Sequence, residues 1–388
     1  RTCRIKPPGD NTPMKPADVI IIGAGLMGSA TALWLARAGK KVLFLEKEHA
    51  PCHASAVNAG GVRRLNRALA EIPLSVAAME LWHRLPSIVS SDCGFEPVGQ
   101  VRIAPDDSAM ALFEQRVNQV RTLGYHHEEL ATAAEIKRLV PAYAGKCCGG
   151  IVSRDDGHAS PAQTLRAFFN AACAAGAELV TRCSVADISP AKDGITVVSQ
   201  DGRRFNSDVV INCAGAWGNR IAALVDDYLP MESVGLSMMV TARMPRFITP
   251  VVGVHGRKLS FKQPANGTVV IGGAHRAILD MDTEKTVIDF SEMKQSAATV
   301  LEHFPVMQQA TVVRCWAGIE GLMRDGLPAI GESPTTPGLF HVCGFSAHGF
   351  QLSPMVGRLA ASLAMGRKPE VSLEAFSVNR FNRNSYET

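Results

Sequence analysis

The stretch "VIIIGAGLMGSATALWLARAGKKVLFLE", Val19 to Glu46, decides how the chain is read. Val19 to Ile22 is a β-branched run suited to a strand buried on both faces. Gly23, Gly25 and Gly28 follow as G-x-G-x-x-G. The first permits a tight turn, the second lets a pyrophosphate approach the backbone, and the third lets helix and strand pack closely. Leu26 to Ala38 are mostly good helix formers, and Gly39 stops the helix. The start of that helix presents unpaired N–H groups and a positive dipole end. "KKVLFLE" is then a second strand ending in Glu46, where an acid grips a ribose diol. Three glycines alone fit any glycine-rich turn. Strand, glycines, helix, strand and acid in this order make a dinucleotide site, and an acid at Glu46 argues against a 2′-phosphate there.

The rest of the chain bounds the possibilities. Its 388 residues suggest roughly two to three domains. The 40 Lys and Arg against 36 Asp and Glu are spread without a basic block, which speaks against nucleic acid. The ten Cys form no C-x-x-C pair, so the thiols read as reduced core residues, and no metal site is expected from them or from the eleven His. No apolar run approaches the roughly 18 residues of a membrane span. "RTCRIKPPGDNTP", residues 1–13, is polar and proline-rich and reads as a loose leader or an expression remnant.

A nicotinamide dehydrogenase of doubly wound design continues with further strand–helix alternations, and this sequence does not. After Glu46 comes the small-residue loop "HASAVNAGGVRR" (His53 to Arg64), then an apolar-patterned helix, "ALAEIPLSVAAMELWHRL". "PAQTLRAFFNAACAAGAELV" (Pro161 to Val180) reads as helix then strand. "GITVVSQDGRRFNSDVVINCAGAWG" reads as a hairpin turning at Asp201–Gly202, then a buried strand Asp208 to Cys213 and a tight turn at Ala214–Gly215. "GLFHVCGFSAHGFQLSPMVGRLAASLA" gives a strand, a glycine-rich turn and a helix from about Leu352. Three strand–turn–helix units far apart in sequence can converge on one long ligand.

Taken in order, these motifs resemble the D-amino-acid oxidase, glycine oxidase and sarcosine oxidase superfamily of FAD enzymes over nearly all of the sequence after residue 17. The resemblance implies an α/β protein in which a Rossmann-type FAD-binding domain is interleaved with an α+β substrate domain built on an antiparallel sheet. The first collects residues 17–85, 145–230 and 315–388, the second 86–144 and 231–314. It implies non-covalent FAD with Gly23, Gly25 and Gly28 at the pyrophosphate, Glu46 at the AMP ribose and Lys47 beside it. Ser55, Asn58, Gly60 and Gly61 border the flavin, and Val185 meets the adenine through its backbone. Ala214, Gly215 and Trp217 line the cofactor, as do Gly344, His348, Gly349, Phe350, Gln351 and Leu352.

The implied activity is oxidation of a carbon–nitrogen bond by hydride transfer to flavin N5, followed by imine hydrolysis. The protein then supplies orientation and electrostatics, and no dedicated acid–base pair is required. Candidate catalytic residues are His348 on the turn beside the flavin, Glu320 in "WAGIEGLMRDGLPAIG", and Lys258. Plain readings stand beside each: a loop histidine, a Glu320 turned away to pair with Arg324, and solvated side chains for Lys258 and Lys262. Glycine oxidase-like members carry arginines at the positions of Glu320 and Ala347, so a simple Arg–carboxylate clamp is missing there. In this respect "WAGIEG" and "GFSAHGFQLSP" look more like β-type subunits of multi-subunit sarcosine and opine dehydrogenases. That likeness implies partner subunits with further redox centres, an FMN at an interface, and a cytoplasmic protein or one peripheral to the inner membrane through its partners. Gly318 stands where monomeric sarcosine oxidase has its flavin-linking Cys, and His158 is no clean match for an FMN-bearing histidine. The alternatives are a self-contained D-amino-acid or glycine oxidase using oxygen, and a non-catalytic FAD-binding subunit.

Overall fold

A computed structural model describes residues 5–6, 17–49 and 53–381. Its architecture is α/β, as the motifs predict, and it rests on two nine-stranded sheets. The leader lies outside the described residues except at Ile5–Lys6, whose backbone adds a short parallel strand beside Glu178–Val180.

The first sheet is built around Ala17–Ile22. This strand pairs in parallel with Val42–Leu45 on one side and Arg204–Asn212 on the other. Leu339–Cys343 joins in parallel beyond Val210 to Asn212, and a hairpin, Val185–Ala191 with Gly194–Ser199, extends the same face. Val19, Ile20 and Ile21 are 0–1% exposed, so both faces of this strand are covered and its unbroken β-branched run has a reason.

Three helices pack over one face of that sheet: Leu26–Arg37, Pro161–Ala174 and Gly349–Ala364. Ile72–Trp82 packs in turn on the last of them. The predicted helix "ALAEIPLSVAAMELWHRL" divides into a 3-10 turn at Leu69–Glu71, the helix Ile72–Trp82 and a short helix Leu85–Val89. The C-terminal helix begins at Gly349, a turn earlier than predicted, although Pro354 lies inside it. Pro354 has no N–H for the Phe350 carbonyl, and the Ser353 hydroxyl donates to that carbonyl instead, at 2.9 Å.

The second sheet runs in the order Val312–Met323, Met231–Thr241, Val270–Asp280, Ser260–Lys262, Val251–Val254, Gln100–Ala104, Gly149–Ser153, Glu129–Thr132. It is mixed: Val251–Val254 and Gln100–Ala104 pair in parallel. We propose one domain around each sheet. On that division Gly149–Ser153 and Val312–Met323 go with the second sheet, on the other side of the boundaries expected near 145 and 315.

Helix Leu26–Arg37 and helix Gly349–Ala364 meet through small residues. A Cβ on Gly357 would stand 2.4 Å from Ala30 Cβ and 2.6 Å from the Ala30 carbonyl carbon. Backbone cannot yield as a flexible side chain can. Gly357→Val should therefore cost about 3 kcal/mol, at the upper end of overpacking effects. A urea midpoint unchanged from the parent would show that the helices separate freely.

Candidate functional site

A groove runs along the carboxyl ends of the first sheet's strands and under the second sheet. It has two lobes, of about 250 and 510 Å³. Both include Gly25, Ser55, Cys213 and Gly215 in their walls, so the lobes are continuous.

The turn from the first strand into the first helix forms the joint between the lobes. Gly23 sits at φ +99°, and a Cβ there would be 2.6 Å from the Cys213 carbonyl oxygen. A Cβ on Gly28 would be 2.1 Å from the Gly23 carbonyl oxygen, so Gly28 lies beneath the turn and not in the groove wall. Gly25 is the Ncap of the helix and offers no side-chain cap. Leu26 N–H donates to Ser55 Oγ at 2.9 Å, and Ala24 N–H donates to Glu46 Oε2 at 2.9 Å. The helix start thus faces the groove with glycine backbone, the arrangement that takes a phosphate group.

Glu46 is 6% exposed and lines the smaller lobe. Its two oxygens accept from Ala24 N–H and Glu48 N–H, which fixes the carboxylate and leaves each oxygen a lone pair. Val185, Ala214 and Trp217 line the same lobe. Lys47 Nζ stands 3.4 Å over the Trp217 ring and forms an ion pair with Glu284. Trp217 Nε1 and His53 Nε2 are buried without a partner among the described residues. Two orphaned donors or acceptors in the wall of this lobe fit a ligand that hydrogen-bonds there.

The larger lobe is where the second sheet covers the first. Gly60 and Gly61 are presented to it by Asn58, whose amide donates to Ala54 O at 2.9 Å and whose Oδ1 accepts from Gly60 N–H at 2.8 Å. A Cβ on Gly60 would be 2.2 Å from Ala159 O, whereas one on Gly61 would meet nothing within 4 Å. Across from them, Gly344, Gly349 and Phe350 belong to the wall. The turn between Gly344 and Gly349 has Ser346 and Ala347 at φ +50° and +65°, and it is clamped by Ser346 Oγ accepting from Met323 N–H at 3.0 Å.

Several expected residues stand elsewhere. Leu352 and Gln351 are fully buried behind the wall, and Gln351 donates to Ser75 O at 2.8 Å. His348 is not part of the wall; its Nδ1 bonds Glu71 Oε2 at 2.9 Å. Burial, with Arg67 nearby, pushes the imidazole down to about 4, so it is neutral at pH 7 and donates to Glu71. Burial opposes ionisation of Glu71, but this bond and the nearby Arg67 and Arg63 hold its carboxyl below the usual range. The arrangement makes His348 a strut between the turn and Leu69–Glu71.

Lys258 is half exposed at the groove mouth and pairs with Glu292 at 3.7 Å. Lys262 is the opposite of the solvated side chain expected. It is 5% exposed, its Nζ donates to Ala59 O, and burial pushes its pKa down to about 7. Alternation along Ser260–Lys262 predicts a strand face but not that another loop closes over it. Also missed in the wall are Arg63, Arg67, Gln100 and Arg102. Gln100 and Arg102 alternate with the buried Val101 and Ile103, so their shared face was legible and its destination was not.

Glu320 does line the larger lobe, where burial and the Ala347 N–H, and not Arg324, act on its carboxyl. Burial pushes its carboxyl up to about 7, and the Ala347 N–H that donates to it offsets only part of that. The two positions singled out in the sequence thus meet across the groove wall.

With this geometry in view, similarity to known proteins is informative. A family model described as DAO, FAD dependent oxidoreductase, matches residues 18–363. A glycine oxidase of Geobacillus kaustophilus (strain HTA426) is 28% identical over 372 residues, covering 94% of this chain and 97% of that protein. The mitochondrial sarcosine dehydrogenase of Mus musculus is 23% identical, covering 97% of this chain and 43% of its own length. The crystal structure of glycine oxidase from Geobacillus kaustophilus superposes with a TM-score of 0.87 at 24% identity, covering 95% of this chain and all of that one.

The buried acid has a measurable signature. A carboxyl whose folded pKa lies above its unfolded value destabilises the fold as pH rises from ~4.5 through ~7, since folding then confines a charge. Glu320→Gln removes that cost. In FAD-free protein the variant should match the parent Tm near pH ~4.5 and exceed it by several degrees near pH ~8.5, with ~3 kcal/mol as the upper bound. A Tm difference that does not grow with pH would mean that Glu320 is solvated.

Proposed function

The chain belongs to the DAO family of FAD-dependent oxidoreductases, and from that premise we propose that it oxidises the carbon–nitrogen bond of an amino acid or secondary amine acid of sarcosine, opine or D-amino-acid type. The observation that carries this reading is the continuous two-lobed groove, narrow and acid-ended at Glu46, wider and charged beneath the second sheet. When bound, non-covalent FAD supplies the hydride acceptor there, and the imine product hydrolyses in water.

The protein's own residues share the remaining work. Glu46 offers its free lone pairs to a ribose diol, and Val185 and Trp217 enclose the adenosine end. The helix start after Gly25 would hold the pyrophosphate through the backbone N–H groups that Ser55 leaves free and through its dipole. Gly60, Gly61 and the turn from Gly344 to Gly349 line the larger lobe and would hold the flavin there. A linking side chain at Gly318 would first have to displace Val57, because a Cβ there would be 2.4 Å from Val57 Cγ2. Glu320, at about 7, holds a proton beside the substrate lobe or meets the substrate's cationic nitrogen once ionised.

The finer form of this reading is a dehydrogenase that passes electrons to partner subunits carrying further redox centres. The self-contained oxidase is favoured in turn by the end-to-end match with a glycine oxidase. An FMN carried by His158 is disfavoured, since that side chain is only 2% exposed.

Cofactor release, loading of a glycine variant, flavin bleaching and turnover test the reading. Acid precipitation of the purified protein should release one FAD per chain into the supernatant; a colourless protein, or colour kept in the pellet, would overturn the cofactor assignment. Gly25→Val should abolish loading, because the new side chain projects beside Ser55 into the joint of the groove. Anaerobic mixing of the yellow protein with D-amino acids, N-methyl amino acids and opines should bleach the flavin with at least one class. No bleaching across the set would leave a non-catalytic FAD-binding subunit. Faster turnover with artificial dyes than with oxygen is expected of the dehydrogenase, and rapid stoichiometric hydrogen peroxide of the oxidase.

A further inference from the structure

Among the described residues five cationic side chains line the larger lobe, and they differ in what already neutralises them. Arg257 pairs with Glu302 and Lys258 with Glu292, both at the mouth. Arg63 donates to Leu65 O at 2.7 Å and Arg67 to Arg63 O at 3.1 Å, and the nearby carboxylates of Glu71 and Asp156 offset part of both charges, although Arg67 Nη1 is buried without a partner among the described residues. Arg102 is different. Among the described residues nothing accepts from its guanidinium, and burial lowers its pKa with no acid to offset the cost.

The fold explains why this cation faces the groove. Arg102 is the middle residue of Gln100–Ala104, whose Val101 and Ile103 are buried in the core on the opposite face. The period of two then turns Gln100 and Arg102 together into the lobe. On one neighbouring strand the residue beside Arg102 is Gly253, which adds no side chain there, and on the other it is the buried Ile151. Gln100 Oε1 is buried in the same lobe without a hydrogen-bond partner among the described residues. A fork of N–H donors and an unpartnered amide oxygen, two residues apart, match a ligand that carries an anion next to an N–H. A free guanidinium with Arg63 close by is an unfavourable arrangement until an anion enters. Glu320 lines the lobe as well, and its own charge repels an anion from that part of the wall.

We propose that Arg102 receives the carboxylate of the substrate, with Gln100 accepting from the adjacent nitrogen, so that the substrate is an α-amino or imino acid and not a simple amine. This rests on the oxidoreductase reading above. Arg102 binds the ligand and sets its orientation; it moves no proton.

The test uses the FAD-loaded protein with benzoate and benzamide, which have the same shape and differ in charge, read by perturbation of the flavin absorbance. The parent should bind benzoate at least about tenfold more tightly than benzamide. Arg102→Met should weaken benzoate by about 10- to 100-fold and benzamide by less than about twofold, with unchanged FAD content. Arg102→Lys, which keeps the charge but loses the fork, should fall between. Equal binding of benzoate and benzamide by the parent overturns the proposal without any variant. So does an Arg102→Met protein that keeps FAD and benzoate affinity, or one that loses both ligands equally. If Arg102→Met fails to load FAD, the parent's preference and Arg102→Lys decide. Failure of the underlying reading looks different, since it would appear as a parent that carries no FAD or is bleached by no amine.

Discussion

The close approach of backbone to backbone at the Gly23–Gly28 turn is the constraint on which the rest depends. The Gly23 carbonyl lies where a Cβ on Gly28 would be, and the Cys213 carbonyl where a Cβ on Gly23 would be. Side chains at either position would lift the first helix off the sheet and move its N-terminus away from the groove. The same economy recurs where Gly357 meets Ala30, which sets the final helix against the first. Glu46 is then held at the groove's end by the Ala24 N–H of this very turn. Helix start, acid and C-terminal turn therefore take their positions from a few contacts that only glycine permits.

The second sheet converts this cradle into a chamber. It brings Gln100 and Arg102 from an interior strand and Glu320 from an edge strand over the same space, and it buries Lys262 behind the Ala59–Gly61 segment. Charges removed from water in this way have shifted pKa values: Lys262 and Glu320 both lie near 7. Burial lowers a lysine and raises a carboxyl, so two groups of opposite type arrive at the same pH range for one reason. Such groups cost stability and are a common mark of working sites.

His348 shows how position on a turn and direction of a side chain can separate. Its neighbours Ala347 and Gly349 form wall, while its ring turns inward to Glu71 and ties the turn to the residues preceding Ile72–Trp82. Left-handed backbone at Ser346 and Ala347 makes that reversal. Nothing in "GFSAHGFQ" announces left-handed geometry at two non-glycine residues, so the sequence pointed to the segment and not to the direction.

By itself the sequence determined the glycine turn, its flanking strands and the acid at Glu46, because each is encoded locally, and the family, because its motifs follow in order along nearly the whole chain. A β-branched run, glycines at fixed offsets and an acid at the next strand's end act over a few dozen residues. It also singled out Glu320 and Ala347 as unusual. Tertiary structure alone decided that these two meet, that Lys262 is buried, that His348 turns away, and that Arg102 faces the groove unpaired. Those outcomes depend on which elements lie opposite one another across two sheets. Alternation tells which residues share a face of a strand, and only the packing of the other sheet tells what that face meets.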